Sequence, residues 1–165
     1  FKFIHDAGRS IITDLQFAIR TDEPNSSDAR YGAMLYAAPD ALQHNVPIDE
    51  RYDIYSLGAT LYFALSQDEK VMGDINQLPK DQYNIELEKK LKIFNRGDDY
   101  PNFSLKVLRK SLAYDAKDRF DSIESLKSFT TQSAIEHAGN AHETVMLQLF
   151  EFSSHNIIHQ FFEQP

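Results

Sequence analysis

Cysteine is absent from this chain of 165 residues. That removes disulfides, thiolate chemistry and cysteine-based zinc sites, and it suits a reducing compartment. Long apolar runs are missing too. No stretch approaches the roughly 20 residues that a membrane-spanning helix needs, and the first residues carry no signal-peptide pattern. Positive charge is scarce: 17 Lys and Arg stand against 25 Asp and Glu, a formal net charge of −8. Phosphate backbones and anionic membranes would repel such a surface, so neither a nucleic-acid partner nor direct membrane insertion is expected. What is present is 42% hydrophobic and 12% aromatic residues. That composition supports one globular domain with a substantial core. No repeat or low-complexity tract is visible.

Phe1–His5 and Ser10–Asp14 are β-rich and flank Asp6-Ala7-Gly8-Arg9, a pattern that predicts a short hairpin. Thr21–Arg30, with Pro24, Asn25, Ser26 and Ser27, reads as a loop. Pro39 suits the first position of a short helix. Asp53–Leu65 is the strongest helix. Ile54, Leu57, Leu61 and Leu65 recur at three- and four-residue spacing, while Tyr55, Tyr62 and Phe63 widen the apolar face, so this helix should be central and buried. Gly58 inside it costs about 1 kcal/mol relative to Ala, which points to close packing against another backbone. Gln67–Asp81 is loop-like. Gln82–Asn95 is a charged amphipathic helix ending near Gly97. Ser104–Ala113 and Asp121–Phe129 are two more helices, the second capped by Asp121 or Ser122. Two short helical patterns follow Gly139-Asn140.

Tyr31-Gly32-Ala33-Met34-Leu35-Tyr36-Ala37-Ala38-Pro39-Asp40 precedes Arg51-Tyr52-Asp53-Ile54-Tyr55-Ser56-Leu57-Gly58. A small-residue loop, an Ala-Pro-acid turn, an acidic helix start and an apolar helix with Ser-Leu-Gly inside it thus occur in one order. This order resembles the end of the activation segment and the central helix of the eukaryotic-type protein kinase superfamily, serine/threonine kinase-like members in particular. Ala38-Pro39-Asp40 is similar to the family's A-P-E, with Asp for Glu. Ile11-Ile12-Thr13-Asp14-Leu15-Gln16 sits where the family carries D-F-G. Leu112-Ala113-Tyr114-Asp115-Ala116-Lys117-Asp118-Arg119-Phe120 looks like its late L-x-x-D-x-x-x-R-F element. The resemblance covers roughly residues 1–130. It implies a kinase-like C-terminal lobe over 1–130, with an activation segment at 14–40 and a central helix at 53–65. Residues 131–165 would be a helical C-terminal extension. The expected fold is mainly α (α+β overall), with the short hairpin at its start.

The family's other landmarks are not in this chain: no Gly-rich phosphate loop, no V-A-I-K-like lysine and no H-R-D-x-x-x-x-N loop. His5-Asp6 does not supply the last, because seven residues between Asp6 and Asp14 are too few for it. The catalytic Asp is therefore expected upstream. The chain begins with Phe1, which fits a fragment, a processed product or one piece of a longer polypeptide.

The resemblance places Asp14 at the metal position, where a carboxylate would hold Mg²⁺ bridging the phosphates of ATP. The plainer reading of Asp14 is a strand-end cap. Leu15-Gln16 replaces the family's Phe-Gly, removing the glycine freedom that aims this Asp. Gly32, Ala33 and Tyr36 fall in the substrate-facing loop, and Ala33 replaces a usual Thr whose hydroxyl orders the catalytic groups. Asp53 corresponds to the acid that begins the central helix and accepts catalytic-loop amides; alternatively it is an ordinary first-turn acid. Asp40 and Arg119 should form a buried ion pair, the alternative being two surface charges. Thr21, Ser26, Ser27 and Tyr31 are phosphorylation candidates or simply loop polarity.

His155 with His159, and His137 with His142, lack partners for a metal site and read as helix-surface residues. The Phe/Ile stripe beyond Thr131 reads as a core-facing helix or a docking face.

The resemblance implies one of two functions, set against a third reading in which the chain is a structural helical adaptor whose landmarks match by accident. The chain is the C-terminal lobe of a kinase, transferring phosphate from ATP to protein Ser/Thr once an upstream lobe and catalytic loop complete it, and inactive alone. Or it is a pseudokinase, a non-catalytic module that binds a protein partner, an alternative that Leu15-Gln16 and Ala33 favour. Acidic charge and absent cysteine suit a cytoplasmic setting.

Overall fold

The computed structural model describes residues 33–42, 49–94 and 102–136. These are 70% helical, with four α-helices and no strand among the described residues. The hairpin read over residues 1–14 lies outside them, as do Asp14, Gly32, all of the histidines discussed above and the tail from 137. The chain divides into two compact units, Thr21–Leu126 and Phe1–Arg20 with Lys127–Pro165. The architecture below belongs to the first, except that α4 continues past Leu126 into residues of the second.

Helix α1 runs Glu50–Ser66. It begins three residues before the Asp53 start read from the apolar pattern. The cause is Asp49: its carboxylate accepts the Arg51 amide at 2.9 Å, satisfying a donor that the helix leaves free. Asp53 therefore stands within the first turn rather than at its head. The helix ends at Gln67, which is left-handed (φ 56°) and returns its amide to Phe63 O at 2.8 Å.

Burial follows the apolar periodicity only in part: Ile54 and Leu61 of the expected stripe are buried, while Leu57 and Leu65 are half-buried. Ile54, Tyr55, Ala59, Leu61 and Tyr62 of α1 are in the core. Helix α2 (Lys80–Leu91) starts two residues earlier than the pattern suggests. It buries Tyr83, Leu87 and Leu91 and passes directly into a 3-10 turn, Lys92–Phe94. Phe94 meets Tyr62 edge-on, ring centroids 5.8 Å apart. Helix α3 (Asn102–Ser111) packs against both α1 and α2, and its buried residues Val107 and Leu108 lead into Leu112. Each large apolar side chain buried here contributes about 1.5–3 kcal/mol.

Gly58 explains the α1–α3 crossing. A Cβ at this position would lie 2.7 Å from Ser111 Cβ, so only glycine permits the approach. The close neighbour is a side chain of α3, not the backbone expected from the sequence.

Helix α4 (Ile123–Glu136) is launched by Ser122. Its hydroxyl accepts the Ser125 amide at 3.0 Å, while Ser125 Oγ accepts the Ser122 amide at 3.1 Å. This reciprocal pair has the form of a capping box. Glu50, in the first turn of α1, accepts the Ile123 amide at 3.1 Å. The start of α1 thus helps to fix the start of α4.

Candidate functional site

Pro39–Leu42 forms a 3-10 turn, with Ala38 buried before it. Asp40 in this turn points inward, 8% exposed. Its Oδ1 accepts Arg119 Nη2 at 2.6 Å, and its Oδ2 accepts the Ala116 amide at 3.1 Å. Asp, one methylene shorter than Glu, still reaches the guanidinium. Arg119 follows the 3-10 turn Ala116–Asp118, and its side chain is 0% exposed. It also donates to Ala113 O at 2.9 Å, to Tyr114 O at 2.8 Å and to Arg51 O at 3.2 Å. Its guanidinium carbon lies 5.0 Å from the Tyr55 ring centre and 5.7 Å from that of Tyr52. A buried charge is tolerated only when its donors are paired, and here they are. The pair therefore ties the Ala-Pro-Asp turn to the start of α1 and to the segment after α3.

A second buried polar chain lies in the same core. Tyr83 donates its hydroxyl to Leu112 O at 2.7 Å, which leaves Tyr55 as donor in the 3.0 Å contact between the two hydroxyls. Burial pushes both phenols well above the usual tyrosine range, and each is further tuned by the other's hydroxyl. Both stay protonated, so the order of donors is set.

Ahead of the turn, Met34–Tyr36 forms a tight 3-10 turn between extended Ala33 and Ala37. Tyr36 N–H bonds Ala33 O at 2.9 Å and Ala37 N–H bonds Met34 O at 3.3 Å. Two other elements grip this loop. Ser56 of α1 donates to Tyr36 O at 3.1 Å. From the α1–α2 connection, Met72 N–H donates to Leu35 O at 3.2 Å, and Asn76 Nδ2 donates to Met34 O at 2.6 Å and Ala37 O at 3.2 Å. Such bonds are worth about 0.5–1.5 kcal/mol each, net. Meanwhile the side chains of Met34 and Leu35 remain 50% and 40% exposed. The loop is a fixed backbone that presents apolar side chains outward.

No family model matches the chain, and neither does a curated protein or a solved structure.

Of the residues singled out from sequence, Asp40 and Arg119 are brought together. Ala33 and Tyr36 lie on the gripped loop, with Tyr36 joined to α1 through Ser56. Asp53 is exposed on the first turn of α1, yet the surrounding protein and the charge of Glu50 raise its carboxyl above the ordinary value. Asp14 and Gly32 lie outside the described residues. Among the described residues no group of three or more His, Asp or Glu is placed to hold a metal ion, and no helix is long and apolar enough to cross a membrane.

Asn76, Met72 and Tyr83 carry the arrangement without having been picked out. Asn76 and Met72 sit in a stretch read as loop. Nothing in the local pattern marks an Asn that will be 1% exposed.

Proposed function

We propose that residues 1–130 are the C-terminal lobe of a protein-kinase-like protein. The observation that carries this reading is the buried Asp40–Arg119 pair. It joins the Ala-Pro-Asp turn to the Arg of the late motif, 79 residues on. Two motif landmarks that resemble kinase elements thus meet through the side chains that the resemblance singles out. The buried helix α1, crossed closely by α3 at Gly58, supports the same reading.

In a completed protein, ATP would supply the phosphoryl group and Mg²⁺ would offset its charge. Asp14 is the residue of this chain that would hold the ion. The described residues would act on the protein side: the Ala33–Ala37 backbone is held in place to receive a protein segment. Phosphoryl transfer is mostly positioning and electrostatics. A lobe with one of the required groups does not position ATP, so this chain alone transfers no phosphate. A radioactive-phosphate assay with robust transfer by the isolated chain would refute that statement.

The second reading is a pseudokinase-like module that binds a protein partner without chemistry. Ala33 favours it, since no hydroxyl stands there to order catalytic groups, and so does Leu15-Gln16. The deciding experiment is calorimetry of Mg²⁺-dependent ATP binding, on this chain and on the longest natural polypeptide that contains it, each with Asp14→Asn. Micromolar binding by the long form, lost in Asp14→Asn, supports a metal-using kinase. No binding by either leaves the partner-binding module.

A further inference from the structure

The connection between α1 and α2, residues 67–79, looks like a loop in sequence but is built as a strut. Val71, Met72, Ile75 and Asn76 are all buried, at 1%, 0%, 3% and 1% exposure. Its turns close on themselves, with Val71 N–H to Asp68 O at 3.0 Å, Gly73 N–H to Lys70 O at 2.8 Å and Asn76 N–H to Met72 O at 2.9 Å. Val71 is held left-handed at φ 50°. A β-branched residue adopts that conformation only when its surroundings compel it.

One side of the strut is anchored on α2. Lys90 Nζ lies 2.8 Å from Asp68 Oδ2 and 3.0 Å from Asp74 Oδ1, its side chain only 12% exposed. Tyr62 donates its hydroxyl to the same Asp68 oxygen at 3.0 Å, and Lys90 lies 5.5 Å from the Tyr62 ring centre. The Asp68 Oδ1 atom accepts the Lys70 amide at 3.0 Å. The other side of the strut holds the Met34–Tyr36 turn through Asn76 and Met72. Gly73 lies beside the same turn and leaves room for Leu35 Cδ2, which a Cβ there would meet. Among the described residues no donor reaches Asn76 Oδ1, so its amide group is placed for what it donates.

We propose that Asn76 is the positioning residue of the Met34–Ala37 loop, and that Lys90 sets this loop from α2 through Asp68 and Asp74. The strut transmits the setting because its interior is buried and its turns are closed, so it shifts as a unit. A partner that takes hold of α2, or a change of charge at Lys90, therefore reaches a loop that Lys90 does not touch. That the loop faces a protein substrate or partner rests on the kinase-like reading; the positioning itself does not.

Amide hydrogen exchange by NMR on the full chain tests this. Asn76→Ala removes both donors. The Tyr36, Ala37 and Met72 amides should then exchange about tenfold faster or more, while Val107 and Leu108 in α3 change much less. Lys90→Met keeps the apolar stem and removes the charge. It should accelerate Met72 and Gly73, and with them Tyr36 and Ala37, by roughly three- to tenfold, whereas Lys90→Arg should stay near the parent rates. Three results would overturn the proposal: unchanged Tyr36 and Ala37 in Asn76→Ala, a Lys90→Met effect that stops at Gly73, or equal acceleration in α3. If Asn76→Ala fails to fold, the Lys90 pair still decides. None of these measurements needs ATP, so failure of the kinase-like reading would show separately, in the calorimetry.

Discussion

Asp40→Ala removes the only carboxylate among the described residues that bonds Arg119, a guanidinium shut away from water. Arg119 would keep its bonds to the carbonyls of Arg51, Ala113 and Tyr114, but these carry no full charge to offset its own. Removing one partner of a buried pair costs about 3–5 kcal/mol. The retained carbonyls place the expected loss near the lower end, about 3 kcal/mol, including the Ala116 amide that loses its acceptor. Arg119→Met behaves differently. It removes the charge but orphans three carbonyls, at about 1–3 kcal/mol each where they are desolvated. Its cost should exceed that of Asp40→Ala by about 2 kcal/mol or more. Once Arg119 is Met, Asp40→Ala should add at most about 1 kcal/mol, because the pair is already gone. Urea unfolding by far-UV circular dichroism gives these differences. Tyrosine fluorescence serves as the second probe, since the chain has 8 Tyr and no Trp. A loss below about 1 kcal/mol for Asp40→Ala, with an unchanged denaturant slope, would refute the argument and reduce the pair to surface charges. Strict additivity of the two substitutions would refute it equally.

Three further outcomes are expected. Gly58→Ala should destabilise by up to about 2 kcal/mol, since overpacking at about 1–3 kcal/mol is set against a helix-propensity gain of about 1 kcal/mol. Adding Ser111→Gly should recover stability in thermal melts and Ser111→Ala should not, because the clash is with Ser111 Cβ. Tyr83→Phe should cost more than Tyr55→Phe by about 1 kcal/mol, because only Tyr83 satisfies the buried Leu112 O; equal losses would contradict the donor order. For pH, burial alone would raise the Asp68 carboxyl, but bonds from Lys90, the Lys70 amide and Tyr62 outweigh it and hold it below the ordinary 3.8. A depressed carboxyl stabilises above its unfolded value and loses that contribution as pH falls through the folded value. Acid unfolding curves should therefore show a drop below about pH 4 that is shallower in Lys90→Met, and equal curves would remove Lys90 as the cause.

The sequence by itself determined the parts governed by near neighbours. The three- and four-residue recurrence of Ile54, Leu57, Leu61 and Leu65 is enough to specify a helix, and α1 is there. Its true start at Glu50 was less legible, because the apolar pattern says nothing about a polar cap at Asp49. Three of the four helices after the Ala-Pro-Asp turn were readable within a few residues, while α4 runs seven residues past its expected end at Phe129. The pairing of Asp40 with Arg119 was also expected, though from resemblance to a family and not from spacing. The residues that arrange the site were another matter. Asn76 meets Met34 from 42 residues away, Tyr83 meets Leu112 from 29, and Lys90 meets Asp68 from 22. A backbone carbonyl as acceptor leaves no mark on the residue that carries it, so the Asn76 and Tyr83 bonds have no sequence signature. The same holds for Val71, whose left-handed backbone runs against its own preference. Local pattern decides which segments coil. Only the packed structure decides which polar groups are shut away from water, and those groups, obliged to find partners across the chain, turn a loop-like stretch into the strut beneath Met34–Ala37.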